Sequence, residues 1–521
     1  MFQKIKQLKK HIFLFKINNI KRKIAKILQD NQINTDSNNK EYLLTQIVDD
    51  YDNILRIFSF CNGYNKKHNV IAYDTYIPWG YKNKILNFIL KLLFKNGFHF
   101  LYNILTNNLY LNIYKYKGED IDKINYYYND IIRNIINPED ILDIKIDNVL
   151  IGDLIYDTYL RYFKKPTITE INNNVKDVIY KAIIIYFNFI ELLDTHHIKL
   201  FVTSLTSYIQ HGIPTRIFLK KNIEVILISS NQHIFQNITK EFPYHSINYT
   251  KFYPKNFDDD RFDVKRIFES RFKGEIDPGI TYMRNSSYSL DDNTNELRSI
   301  FNKKNRNVII YIHDFYDSPH INRCLLFKDL FDFLKSILDN INFDTKTQFF
   351  IKPHPNSVYN TDEILYNLVS KYKNKNLHIL NKKFSNNDII KIKPDLIVTA
   401  RGTVTIEMAY NNIPVVCLYD NPYVNFTFAH TCYSRDEFYS IINGYKSPEI
   451  LINKSDIISF YYQYFLENCI IDEVNLFSTN FKHHLLGCET DIIKALNNHF
   501  DLNYVYKHST EFVTKFYNTK G

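Results

Sequence analysis

The sequence predicts an α/β protein made of two similar halves and a helical closing segment. Three observations carry that expectation. Apolar runs of strand length alternate with stretches of helical period, the pattern of a parallel sheet with crossover helices. Several of these runs stop abruptly in polar residues, as Leu396-Ile397-Val398 does before Thr399-Ala400-Arg401-Gly402. The length of 521 residues leaves room for two or three domains.

Residues 1–40 open with Phe2 to Lys10, where apolar and basic residues recur at roughly helical spacing. That pattern suits an amphipathic helix on an anionic inner leaflet or a solvated leader. Strands are expected over Ile54–Phe60 and Val70–Tyr73, then a mostly helical insertion over 81–146. A strand over Val149–Ile151 should end at Gly152, with Asp153 and Asp157 following on one face of a helix. A long helix over 174–194, a strand over Lys199–Val202, a helix bearing Gln210, His211, Gly212 and Arg216, and a strand over Val225–Ile228 complete the first half. Residues 230–300 are weakly patterned, and Asp258-Asp259-Asp260 reads as a solvated turn.

The second half opens with a strand over Asn307–Ile312 that runs into His313-Asp314. A helix around Leu325–Leu338, a strand ending in Lys352-Pro353-His354-Pro355, a helix around Ile364–Lys371 and a strand over Leu377–Leu380 follow. Asp395–Asp420 is then one strand–helix–strand unit. Gly402 stands at its turn, Thr403 or Thr405 is placed to cap the helix, and Asn411-Asn412 ends it. Free N–H groups and a positive helix end at that turn suit a phosphate. The His354 strand end is expected beside it, so that neighbouring sheet termini form a ligand crevice. Beyond Ser434 the chain reads as mainly helical.

The net charge of +9 is spread widely, with a local excess between Lys4 and Lys26. It permits attraction to an anionic membrane or substrate. No basic stripe interleaved with aromatics is present, so no nucleic-acid partner is expected. The six cysteines, Cys61, Cys324, Cys417, Cys432, Cys469 and Cys488, form no CxxC pair and read as buried thiols of a reducing compartment. No apolar core follows the basic start, which argues against a secretory signal. Ile85–Phe98 and Val178–Leu193 are interrupted by Lys91, Lys95, Lys181 and Asn188, too short and polar to span a bilayer. The expectation is a cytoplasmic protein, peripheral to the inner membrane if the leader binds there.

Lys352-Pro353-His354-Pro355 ahead of Arg401-Gly402-Thr403-Val404-Thr405-Ile406-Glu407 resembles the donor half of bacterial capsule polysaccharide biosynthesis proteins. That group includes Kdo-transferase-like enzymes and shares its HP and Ser/Thr motifs with GT-B sialyltransferases. His313-Asp314 through Ser318-Pro319-His320 looks like a further signature of the group. The resemblance implies a GT-B fold, two Rossmann-like domains facing a cleft, with an added helical insertion and a helical C-terminal segment. The implied layout is a basic leader over 1–40 and an acceptor domain over 41–235 with its insertion at 81–146. A connector over 236–300, a nucleotide-sugar domain over 301–445 and a closing segment over 446–521 follow.

The implied activity is transfer of a sugar from a nucleotide-activated donor to a growing surface polysaccharide or lipid-linked acceptor, inverting and metal-independent. The donor is CMP- or UDP-linked and serves as substrate, with no cofactor. A polyol-phosphate transferase, a nucleotide-sugar epimerase and a non-catalytic scaffold are the alternatives. His354 would donate to the departing phosphate. Lys352, Arg401, Gly402, Thr403 and Thr405 would bind that phosphate, and Glu407 the ribose hydroxyls. His313, Asp314, Asp317 and His320 form the densest titratable group and are expected to hold the donor. Asp153 and then Asp157 are the candidates for the general base, with His211 in reserve. No DxD-like pair stands at a strand end, so no metal is expected.

Overall fold

The computed structural model describes residues 41–47, 57, 60, 61, 69–75, 106, 109–116, 121–228, 235–257, 263–276, 286–288, 292–302, 304–322, 325–343, 346–357 and 359–467. The leader, residues 81–105 of the expected insertion, Asp258–Asp260 and the segment beyond residue 467 lie outside them.

The first half contains β1 (Glu41–Ile47), β2 (Asn69–Asp74), β3 (Tyr110–Leu111), α1 (Ile121–Asn134), β4 (Lys145–Ile146), β5 (Val149–Leu150), α2 (Gly152–Phe163), α3 (Asn173–Thr195), β6 (His197–Thr203), α4 (Ile209–Lys220), β7 (Glu224–Ile228) and β8 (Phe235–Ile238). Its sheet runs in the order β3-β2-β1-β6-β7-β8 and is parallel except at β8. Asn172 caps α3 through its side-chain oxygen, which accepts from the N–H groups of Asn174 and Val175.

Two expectations fail here. Ile57 and Phe60, expected in a strand, are helical, and the central strand is Glu41–Ile47. The Val149 strand is a two-residue arm of an antiparallel hairpin with β4, outside the main sheet. Gly152 therefore starts a helix against the Ile141 turn, where a Cβ would lie 1.9 Å from the Ile141 carbonyl oxygen.

The second half contains α5 (Val264–Ser270), α6 (Thr294–Ile300), β9 (Arg306–Tyr311), α7 (Leu330–Asn340), β10 (Thr347–Lys352), α8 (Thr361–Val369), β11 (Leu377–Ile379), α9 (Asn386–Ile392), β12 (Leu396–Thr399), α10 (Val404–Tyr410), β13 (Val415–Leu418), β14 (His430–Cys432), α11 (Arg435–Ile442) and α12 (Lys454–Tyr461). Its sheet is parallel throughout, in the order β11-β10-β9-β12-β13-β14. Alternate strand residues serve opposite faces. Val308 and Ile310 join the apolar cluster under α7, α8 and α11, while Ile309, Phe350 and Ile397 join the one that extends under α9 and α10.

Both sheets have the doubly wound order, in which the chain reverses direction beside the first strand. The architecture is GT-B: two Rossmann-like halves with a helical closing segment. Its switch points lie between β1 and β6 and between β9 and β12. The strand ends bearing His354 and Gly402 are not neighbours, because β9 runs between β10 and β12. Two strand spacings, about 10 Å, separate them.

The halves touch along α2. Tyr156 donates to Asp329 Oδ2 at 2.7 Å, His320 Nδ1 meets Asp157 Oδ1 at 2.6 Å, and Lys164 lies over the Tyr359 ring at 4.4 Å. Among the described residues no helix is long and apolar enough to cross a membrane.

Candidate active site

The second-half switch point is built from the ends of β9 and β12. His313 follows β9, and its Nε2 lies 3.3 Å from Thr399 Oγ1. Thr399 also accepts the Gly402 N–H at 3.2 Å, and the Gly402 carbonyl accepts from Tyr423 at 3.0 Å. Arg401 turns back over this point. Its Nη2 donates to the Ser318 carbonyl at 3.1 Å, while Nη1 is enclosed without a hydrogen-bond partner. Burial draws the guanidinium below its ordinary pKa, against the upward pull of Tyr249, Asp157 and Asp317. His313 is pushed down to about 3 by burial, with Arg401 and His354 adding to the effect. A half-buried cation with an enclosed, unused donor, close to the neutral imidazoles of His313 and His245, is suited to an anion.

His354 follows β10 on the far side of His313. Its Nδ1 accepts the Asn356 N–H at 3.2 Å, so the ring proton of the neutral form resides on Nε2. Burial holds its pKa below the usual value, which keeps it a neutral donor. Lys352 is buried, and burial lowers it to about 8, partly countered by Asp388. Asp314 is occupied within its own turn, accepting from Tyr316 N–H at 2.9 Å. Asp317 is exposed, and its charge reaches Arg161, His354 and Arg401. Thr403 stands at the start of α10 without making a side-chain cap.

Facing this point, the first half presents the ends of β1, β2 and β6. Gln46, Tyr73, Thr203 and His211 form one buried hydrogen-bonded group. His245 bonds Ser207 Oγ at 3.2 Å, and its pKa falls to about 4 through burial and Arg401. His211, His245 and Arg401 thus form an electrostatic series from one half to the other.

Several expected ligands have other duties. Asp153 makes a bidentate ion pair with Arg216, at 2.6 and 2.5 Å, and both side chains are buried. That carboxylate joins α2 to α4 and is not a free base. Asp157 is committed to His320, accepting at one oxygen from the backbone N–H and meeting the ring at the other. Glu407 is 4% exposed and points away from the crevice into the connector. It accepts from Arg271 at 2.8 Å, Tyr288 at 2.5 Å and Asn386 at 3.2 Å, so it does not reach out to a ribose. Thr405 is fully buried against Cys417 Sγ at 3.1 Å, which removes it from the phosphate set.

Sequence reasoning missed Gln46 and His245. The run Leu43-Leu44-Thr45-Gln46-Ile47 holds a polar residue near a strand end, a signal that was there to be read. His245 has no local signal.

His430, Cys432 and Glu437 bring ligand-type atoms within 4.8 Å of one another. The Glu449 N–H donates to His430 Nδ1, which places the ring proton on the Nε2 that would have to bind the ion. Lys446 holds the Glu437 carboxylate at 2.7 Å, and His430 Nε2 lies 3.3 Å from that same carboxylate.

No family model and no curated relative matches the chain. Among solved structures it is similar to a β-Kdo 2,7 transferase, KpsC of Thermosulfurimonas dismutans, at 13% identity over 58% of this chain and 85% of that one, TM-score 0.28. It is similar to the Anabaena Alr3699/HepE protein in complex with UDP at 10% identity over 82% and 95% of the two chains, TM-score 0.26. The UDP-GlcNAc 2-epimerase of Neisseria meningitidis matches at 9% identity over 92% and 100%, TM-score 0.20. The strand orders themselves carry the assignment of the fold.

Proposed function

We propose that the protein is an inverting, metal-independent glycosyltransferase that moves a sugar from a CMP- or UDP-linked donor to a growing surface polysaccharide. One observation carries this reading: Arg401, at the switch point of the second half, holds a buried Nη1 with no partner. The donor's phosphate supplies the missing acceptor and the opposite charge. His354, fixed as an Nε2–H donor by Asn356, donates to the leaving phosphate from the β10 side. Lys352 and the Gly402-Thr403 turn complete the anion-binding pocket, and no divalent ion is needed to neutralise the leaving group.

The test is a thermal-shift screen of the full chain with CMP, CDP and UDP. A ligand at a hundred times its dissociation constant adds roughly 2.7 kcal/mol to stability. One of these nucleotides should stabilise the wild type, and the effect should vanish in Arg401→Ala. Stabilisation that persists in Arg401→Ala, or none by any nucleotide, would contradict the reading.

A further inference from the structure

A count of protons around Gln46 fixes the state of a histidine whose role the donor site leaves open. The Thr203 hydroxyl spends its one proton on the Leu205 carbonyl at 2.6 Å. The Tyr73 hydroxyl spends its own on the Gln210 carbonyl at 3.1 Å. Both must therefore accept from Gln46, at 2.6 and 2.8 Å, and only an amide nitrogen can donate twice. The amide orientation follows without a choice. Gln46 Oε1 then faces the Ser204 N–H at 3.4 Å and His211 Nδ1 at 2.9 Å. A carbonyl oxygen only accepts, so His211 carries its ring proton on Nδ1. Its Nε2 is a bare lone pair, with no hydrogen-bond partner among the described residues. Unlike His320 Nε2, it is not sealed from solvent.

Burial keeps the ring neutral, lowering it to about 3, and His245 adds to that effect. His245 in turn feels Arg401. An anionic donor seated on Arg401 cancels the charge at the end of this series and eases protonation of His211 as the reaction proceeds.

We infer that His211 Nε2 accepts the proton of the incoming sugar hydroxyl, and that Gln46 is the positioning residue that sets its tautomer. This deepens the donor-site reading and rests on it. The hydroxyl proton passes to Nε2 while its oxygen bonds the donor's anomeric carbon. The carbon–oxygen bond to phosphate breaks, its electron pair leaves on the phosphate beside Arg401, and the proton reaches solvent after product release. His211 and His354 then present opposite hydrogen-bonding faces, an acceptor from the first half and a donor from the second.

The test uses the full chain. His211→Asn can still donate to Gln46 Oε1 but has no atom at Nε2. It should bind nucleotide like the wild type and keep the donor KM, while kcat falls by ~100-fold or more. Gln46→Glu puts a carboxylate beside the ring, and the acid limb of the kcat/KM profile should move to higher pH, which a packing role would not cause. In wild-type protein labelled with 15N-histidine, the His211 signals, identified by their loss in His211→Asn, should report a protonated Nδ1 and a bare Nε2. Wild-type turnover in His211→Asn, or a protonated Nε2 in the wild type, overturns the inference. A wild type that binds no nucleotide removes the donor-site reading and takes this assignment with it.

Discussion

Glu407→Gln separates a structural carboxylate from a ligand-binding one. In the structure three donors converge on Glu407: Arg271 on one oxygen, and Tyr288 and Asn386 on the other. The Arg271 side chain has no exposure and Glu407 has 5%. Glutamine offers a single accepting oxygen. If that oxygen stays with Arg271, the new amide hydrogens face the Asn386 donor, and the guanidinium loses the Glu407 charge in either orientation. Breaking one side of a buried pair costs about 3–5 kcal/mol. At 2–4 °C per kcal/mol for a domain of this size, melting should fall by roughly 6–20 °C. The assay is thermal and urea unfolding of both proteins, with nucleotide binding measured well below the transition. Melting within about 2 °C of the wild type, with nucleotide affinity lost, would refute the reasoning and return Glu407 to the ribose.

Other perturbations test separate parts of the account. His354→Ala should keep the wild-type melting profile and lose about 10²–10³-fold in kcat, as for removal of one donor to a developing anion; unaltered turnover would remove it from the mechanism. Gly212→Ala should destabilise by about 1–3 kcal/mol through overpacking of α4 on α2, read as a lower urea midpoint. Its Cβ would sit 2.4 Å from Leu154 Cδ2 and 2.5 Å from the Thr206 carbonyl oxygen.

The Asp157–His320 pair predicts a direction with pH. Burial raises Asp157; burial pulls His320 down, but the carboxylate more than offsets this and its pKa is raised. Both groups bind protons more tightly folded than unfolded. The Asp157 contribution is full only below the ordinary carboxyl range; the His320 contribution is full below about 6.5, the ordinary histidine value, and is lost as pH rises through its folded value. Asp157→Asn should flatten that loss in unfolding titrations from pH 6 to 9, and an unchanged slope would refute it.

Legibility followed the range of the interaction. The contiguous apolar runs of β6, β7, β9, β10, β12 and β13 identify themselves, because parallel strands are buried on both faces. β3 has only two residues and β14 reads His430-Thr431-Cys432, so neither carries an apolar run, and the Val149 hairpin imitates a buried strand. Strand order is not local, so nothing near His354 or Gly402 announces that β9 divides them. The site divides in the same way. Arg401, Gly402 and His313 could be named from strand ends. Asp153 and Glu407 were misread because their partners, Arg216 and Arg271, lie 63 and 136 residues away. The Gln46 contact that sets the His211 tautomer spans 165 residues. A titratable residue at a helix start has the same local signature whether it is free for a ligand or already paired, and only the fold decides which.

The most direct measurement is a crystal structure of the full chain with CMP or UDP. The account predicts a phosphate oxygen within hydrogen-bonding distance of Arg401 Nη1, between the His313 and Gly402 turns. A nucleotide bound elsewhere, with Arg401 Nη1 still unpartnered, would contradict it.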